Sequence, residues 1–207
     1  MEWLIDTLVW LPAILVGLTF HEFAHGLVAD RLGDSTPARQ GRLTLNPLPH
    51  IDWVGFLMLL IFKFGWAKPV QVNPGNFKNI SHKTGMMLVS LAGPGMNLVI
   101  ALLSMAALKL LIPWQGEGWS ALAIPLIIPL VYVNLILAAF NLIPVPPLDG
   151  SKILAGILPD TGANWLYSLE QYGPLILLLL IVTNVVGKIL WPLVNFLYGV
   201  LNLLVAL

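Results

Sequence analysis

Long apolar runs separated by short polar segments dominate this chain. A membrane-spanning helix needs about 20 predominantly apolar residues. Residues 3–29 meet that length and end at Asp30-Arg31-Leu32-Gly33, a polar stop whose glycine suits a helix C-terminus. Residues 83–112 predict a second span. It is expected to be interrupted at Gly93-Pro94-Gly95, because proline removes a backbone donor and kinks a helix. Residues 119–143 predict a third span, ending at Asn141-Leu142-Ile143-Pro144. Residues 174–207 are apolar with a weak break near Gly187-Lys188, which fits one tilted span plus an interfacial helix, or two short helices. Residues 53–66 are apolar but too short to cross unaided, and predict a re-entrant or interfacial piece.

The polar segments carry their own pattern. Within residues 34–52, Gly41-Arg42-Leu43-Thr44-Leu45-Asn46-Pro47 alternates as a short strand does, and Lys68-Pro69-Val70-Gln71-Val72-Asn73-Pro74 alternates again. The two pieces are expected to pair, bracketing the short apolar run. Residues 144–173 predict a proline-rich turn and then a modestly amphipathic piece. The expected fold is an all-α polytopic membrane protein with about five to six transmembrane helices. A small β-strand or hairpin element lies near its cytoplasmic side. The whole of residues 1–207 is expected to form a single membrane-embedded domain.

Composition sharpens this picture. The chain is 58% hydrophobic and 10% charged, where a soluble domain is about one-quarter charged. Net charge is zero and no basic block is present, so nucleic-acid binding has no electrostatic footprint. The absence of cysteine excludes disulfides and thiolate metal sites, and leaves His, Asp and Glu as the strong metal ligands. The first apolar segment is longer than a signal-peptide core and is expected to be retained. Arg31, Arg39, Arg42, Lys63, Lys68, Lys78 and Lys83 cluster after it, whereas the opposite side has Lys109 and a loop holding only Glu117. The positive-inside rule therefore turns the 30–83 region toward the cytoplasm, with the N-terminus outside and residues 144–173 back on the cytoplasmic side.

One polar cluster interrupts the first span. Apart from Asp6, the ionisable side chains of residues 3–29 are those of His21-Glu22-Phe23-Ala24-His25. A charged residue at the centre of a spanning helix costs about 2.5–3.5 kcal/mol even on the lenient insertion scale, so such residues need a partner or a task. Positions i and i+4 lie about 40° apart around a helix, so His21 and His25 share a face and can offer two imidazoles to one metal. Glu22 is better placed as a base than as a ligand. The motif sits near the cytoplasmic end of its helix, with His25 about 7 Å from that end.

A catalytic zinc needs a third protein ligand and an open position. Asp149 is the leading candidate, held in a proline-stiffened turn just past the third span and followed by Gly150. The competing reading makes Asp149 the N-cap of a following helix. His50 and His82 are further candidates in polar segments, where a surface or interfacial role competes.

Four motifs in order then resemble the site-2 protease family of intramembrane zinc metalloproteases, in the compact type without PDZ or CBS domains. They are His21 to His25; Gly41 to Pro47 with His50-Ile51-Asp52; Gly65-Trp66-Ala67-Lys68-Pro69-Val70 with Asn73-Pro74; and Gly93-Pro94-Gly95-Met96-Asn97 with Asn141 to Gly150. The resemblance implies that His21, His25 and Asp149 bind one Zn2+ and that Glu22 is the catalytic acid/base. It also implies that Asn97 and Asn141 lie near the scissile peptide, where ordinary interhelical hydrogen bonding is the alternative. Trp53 departs from the family, which commonly has proline after His-x-Asp, and this leaves the start of the short apolar run open.

The expected activity is hydrolysis of a peptide bond in or near a transmembrane segment of another membrane protein. The lipid bilayer is the second partner, and the site is expected to open to the cytoplasmic side of the cell membrane. A helix hides its carbonyls, so the substrate must unwind. The pieces at 42–46 and 69–73 are candidate edges to hold it extended, and the Gly93-Pro94-Gly95 break is a candidate flexible point. A membrane zinc transporter is the alternative, since a transient metal site uses the same ligands. Against it, the sequence has no second helical ligand cluster and no His-rich loop.

Overall fold

The computed structural model describes residues 2–62, 65–116 and 118–206. The helices are α1 Glu2–Arg31, α2 Thr36–Arg39, α3 Trp53–Phe62, α4 His82–Leu111, α5 Ser120–Asn141, α6 Asp149–Ile157, α7 Asp160–Leu169, α8 Gly173–Val182 and α9 Val185–Ala206. Among the described residues five stretches are long and apolar enough to cross a membrane: Val9–Arg31, His82–Trp114, Ser120–Asn141, Asp160–Val182 and Val185–Ala206. This is an integral membrane protein. Large apolar side chains point outward along these helices, Leu122 and Val182 each being 75% exposed. Lipid accommodates such a surface and water does not.

Helices α1, α4 and α5 pack against one another and form the centre. Without a hydrophobic drive between helices in lipid, close approach through small residues supplies the contact. Ala24, Ala29, Ala101, Ala138 and Ala139 are all buried in this way. A side chain at Gly17 would meet Leu137 Cδ1 at 2.7 Å, so the α1–α5 crossing needs that glycine. Helix α9 closes the far side, placing Val194 and Leu201 against Met105 of α4 and Leu135 of α5.

The 10-residue α3 is not among the candidate spans, and runs from Trp53 to Phe62. Asp52 starts it: Oδ1 accepts from the Val54 and Gly55 amides at 3.1 and 2.9 Å, an N-cap that proceeds without a proline at position 53. The expected hairpin is not there. Among the described residues of 41–74 the one bridge is Ile51 to Ala67, outside both pieces. The alternating pieces are occupied otherwise. Thr44 and Asn46 fold residues 44–48 into turns through their side chains. The Val70 amide donates to Glu22 Oε2 at 2.8 Å and the Asn73 amide to Asp34 Oδ2 at 2.7 Å. Donors spent on carboxylates are not available to a strand ladder.

Two other expectations change. Helix α4 runs unbroken through Gly93-Pro94-Gly95. The break in the last apolar region lies at Asn184 (φ 58°), rather than at Gly187-Lys188. Asparagine tolerates the left-handed region better than most side chains, and the Thr183 and Asn184 amides close α8 on Leu179 O and Ile181 O. The region is thus two helices, and α7 leads through Glu170–Tyr172 into α8 as one helical stretch.

Candidate metal centre

The i, i+4 spacing on α1 puts His21 and His25 side by side, their ring centroids 4.5 Å apart and the rings nearly perpendicular. Each ring is fixed by its Nδ1. His21 Nδ1 donates to Asn97 Oδ1 at 2.7 Å. The Asn97 amide is oriented by its other end, which donates to Gly17 O at 3.0 Å and Asn134 Oδ1 at 2.8 Å. His25 Nδ1 donates to the Val89 carbonyl at 2.7 Å. With both protons committed on Nδ1, both Nε2 atoms carry lone pairs.

Those two Nε2 atoms lie 2.9 Å apart. Asp149 Oδ2 lies 3.2 Å from each. It is buried and has no hydrogen-bond donor. Three acceptors at this spacing repel one another unless a cation joins them. Zinc bonds of about 2.0–2.1 Å set tetrahedral ligands about 3.3 Å apart, so the triad has the chemistry and the spacing of a zinc site. Among the described residues this is the one group of three His, Asp or Glu side chains so arranged.

Asp149 reaches the site because the turn after α5 is tight. Gly150 is helical, and its value is room: a side chain there would overlap the Ile143 carbonyl and lie 2.5 Å from the Leu142 carbonyl. Asp149 is the first residue of α6, and Leu148, not Asp149, takes the N-cap position. The capping alternative for Asp149 therefore fails. Gly93 performs a similar service on α4. A side chain there would overlap His25 Nε2 and lie 2.6 Å from His21 Cε1.

Glu22 lines the same cavity, of about 410 Å³. Its Oε2 is held by the Val70 amide and faces Arg42 Nη2 at 4.0 Å. Arg42 is buried and ties the polar loops together, donating to Pro49 O at 2.8 Å and to Lys68 O. Asn141 lines the cavity, its Nδ2 donating to Leu137 O at 3.0 Å. Asn97 does not line it; it stands fully buried behind His21, its amide bonded within the helix bundle. His50 and His82 are not in the triad. His50 is buried with Nε2 on Thr44 O, and His82 starts α4 at the surface.

Sequence reasoning missed three partners. Val89 acts through a backbone carbonyl, which leaves no mark in a sequence. Asn134 is an amide in the middle of an apolar span, and that oddity was a usable signal. Arg42 was read as part of an alternating segment and for membrane orientation, not as the cation that staples the polar loops.

The model of peptidase family M50 matches residues 114–182. A Bacillus subtilis (strain 168) protein bearing the name "Putative zinc metalloprotease YwhC" is 38% identical over 185 residues, covering 88% of this chain and 84% of that protein. A similarly named protein, Rip2 of Mycobacterium tuberculosis (strain H37Rv), is 36% identical over 174 residues, 80% of this chain and 63% of its own. MJ0611 of Methanocaldococcus jannaschii, with the same descriptive name, is 27% identical over 147 residues, 71% of this chain and 69% of its own. No solved structure matches.

Proposed function

This chain belongs to peptidase family M50, and from that premise we propose that it is a zinc metalloprotease hydrolysing a peptide bond in or near the transmembrane segment of a membrane protein. The observation that carries this reading is the convergence of His21 Nε2, His25 Nε2 and Asp149 Oδ2, with Glu22 in the same cavity of a membrane-spanning bundle.

His21, His25 and Asp149 would hold one Zn2+, which when bound would supply Lewis-acid activation of a water and of the scissile carbonyl. Glu22 takes the proton of the attacking water and returns it to the leaving amine. The Val70 amide holds the Glu22 carboxylate in place for that exchange. Asn97 and Val89 keep both imidazoles in the tautomer whose Nε2 can coordinate, so Asn97 acts on the metal through His21. Asn141 faces the peptide from the cavity wall.

An apolar cavity of about 370 Å³ between α1, α3 and α5 shares Leu18, Trp66, Leu137 and Phe140 with the catalytic cavity. It suits the apolar side chains of an unwound segment. Val70 and Val72 line the catalytic cavity, so residues 69–73 form a wall beside which that segment lies. The turns at 44–48 remove residues 42–46 from this role. The basic loops turn the site toward the cytoplasmic side of the cell membrane, and residues 1–207 act as one membrane-embedded domain. Nothing favours the transport reading: a pathway needs successive sites, and one triad is present among the described residues.

The test is cleavage of a single-span reporter by the purified protein, with the new termini mapped by mass spectrometry. The expected cut lies within or beside the apolar span, is lost on zinc chelation and returns with added zinc. A cut that survives complete removal of zinc excludes the mechanism.

A further inference from the structure

A third cavity, of about 590 Å³, lies on the polar side of the bundle, between the start of α4 and helices α6 and α7. It shares two lining residues with the catalytic cavity, Met86 and Lys152. The wall common to both is therefore made by one thioether and one ammonium side chain. Lys152 follows Asp149 by three positions on α6, so the two side chains share a helix face. Among the described residues lining the catalytic cavity, Lys152 is the only lysine or arginine.

The two lysines of this region differ in how they are held. Lys83 is committed, donating to Leu158 O and to Asp160 Oδ1 at 3.0 Å. Lys152 faces Glu170 Oε1 at 3.8 Å, beyond hydrogen-bond distance, with Lys152 29% and Glu170 45% exposed. An ion pair that long and that accessible is weak, because solvent screens it and both side chains lose freedom to make it. A carboxylate arriving from elsewhere can take the place of Glu170.

We propose that Lys152 is a specificity-determining residue that selects substrates carrying an acidic side chain next to the scissile bond, on the side leading out to the polar face. This rests on the proteolytic reading above. A peptide chain leaving the catalytic cavity toward the polar face passes Lys152 and Met86, the two residues that line both cavities. An Asp or Glu there meets the ammonium in place of Glu170. A Lys or Arg there meets a like charge. Glu170 acts as the internal competitor for the ammonium.

The experiment uses the full-length zinc protein in detergent micelles at low salt. Two reporters share one apolar span and differ by Glu or Lys at positions between the cut and the polar end. The readout is the ratio of kcat/KM for the two reporters, split into KM and kcat, for wild type, K152E and E170Q. Wild type is expected to favour the acidic reporter by roughly tenfold, mainly in KM. K152E is expected to invert the ratio, and E170Q, which frees the ammonium, to increase it. High salt should shrink all three differences. An unchanged ratio in both variants, with zinc still bound, overturns the role of Lys152 and leaves the proteolytic reading intact. If K152E fails to fold, the E170Q ratio decides alone: an unchanged or smaller preference overturns the proposal. If the zinc-loaded wild type cuts neither reporter nor any other single-span protein, the proteolytic reading itself fails, and this inference with it.

Discussion

Gly93→Ala separates the stability of the helix bundle from the integrity of the metal centre. Alanine is favoured over glycine in a helix interior by about 1 kcal/mol, so propensity alone makes the variant more stable. The added methyl meets the two imidazoles of the proposed zinc site instead of open space. It overlaps His25 Nε2 and lies 2.6 Å from both His21 Cε1 and His25 Cε1, where ordinary contact begins at 3.4 Å. Relief needs a shift of about 1 Å, set by the approach to His25 Nε2. His25 is tethered to Val89 on α4 itself, and His21 is tethered through Asn97 on the same helix, so neither ring withdraws freely. Overpacking of this kind costs about 1–3 kcal/mol. The strain is larger than the propensity gain, and it falls on the two imidazoles. Zinc affinity should drop roughly tenfold to a hundredfold, while the helix content holds and the thermal midpoint of the metal-free protein falls by only a few degrees, because the propensity gain offsets part of the strain. A competition titration against a zinc-chelating dye measures the first, and circular dichroism the second. Wild-type zinc affinity in Gly93→Ala would refute the reasoning, because the backbone would then have yielded where the packing says it cannot.

Other consequences follow from the same contacts. Asn97→Ala removes the acceptor that holds the His21 tautomer; zinc affinity should fall about 10–100-fold, and an unchanged affinity in the dye titration would show that the bond is dispensable. Asp34 is buried, which opposes its charge, yet Thr36, Asn76 and the Asn73 amide hold its carboxyl below the usual range. A depressed folded pKa gives stabilisation that is complete above the ordinary carboxylate pKa of about 3.9 and lost as pH falls through the folded value. The difference in thermal midpoint between wild type and Asp34→Asn should therefore be full at pH 6 and shrink below about pH 4; a difference independent of pH would contradict this.

What the sequence made legible was whatever is local or set by membrane depth. The His21–Glu22–His25 spacing needs only a helix, and the cost of charge in lipid makes it conspicuous. Asp149 could be narrowed to a candidate because few carboxylates stand at the right depth, but its capping alternative could be dismissed only when the turn at Leu148 was seen. Gly93-Pro94-Gly95 was read as a break because local propensity says so; tertiary packing gives Gly93 another reason, the room for two imidazoles. The missing hairpin has the same origin. Alternation marks the segments as extended, but it does not say that Glu22 and Asp34 will take the amides a partner strand would need. Asn97 shows the limit most clearly. Its position on α4 was visible, while its place behind His21 depends on how α1, α4 and α5 cross.

The central claim joins a metal held by His21, His25 and Asp149 to a base supplied by Glu22. Its most direct test is zinc content and reporter cleavage measured on the same preparation of Glu22→Gln. The amide keeps the shape of the side chain and leaves all three ligand atoms in place. The account predicts one zinc per chain and cleavage reduced to background. Cleavage by Glu22→Gln at the wild-type rate, with zinc bound, would contradict it.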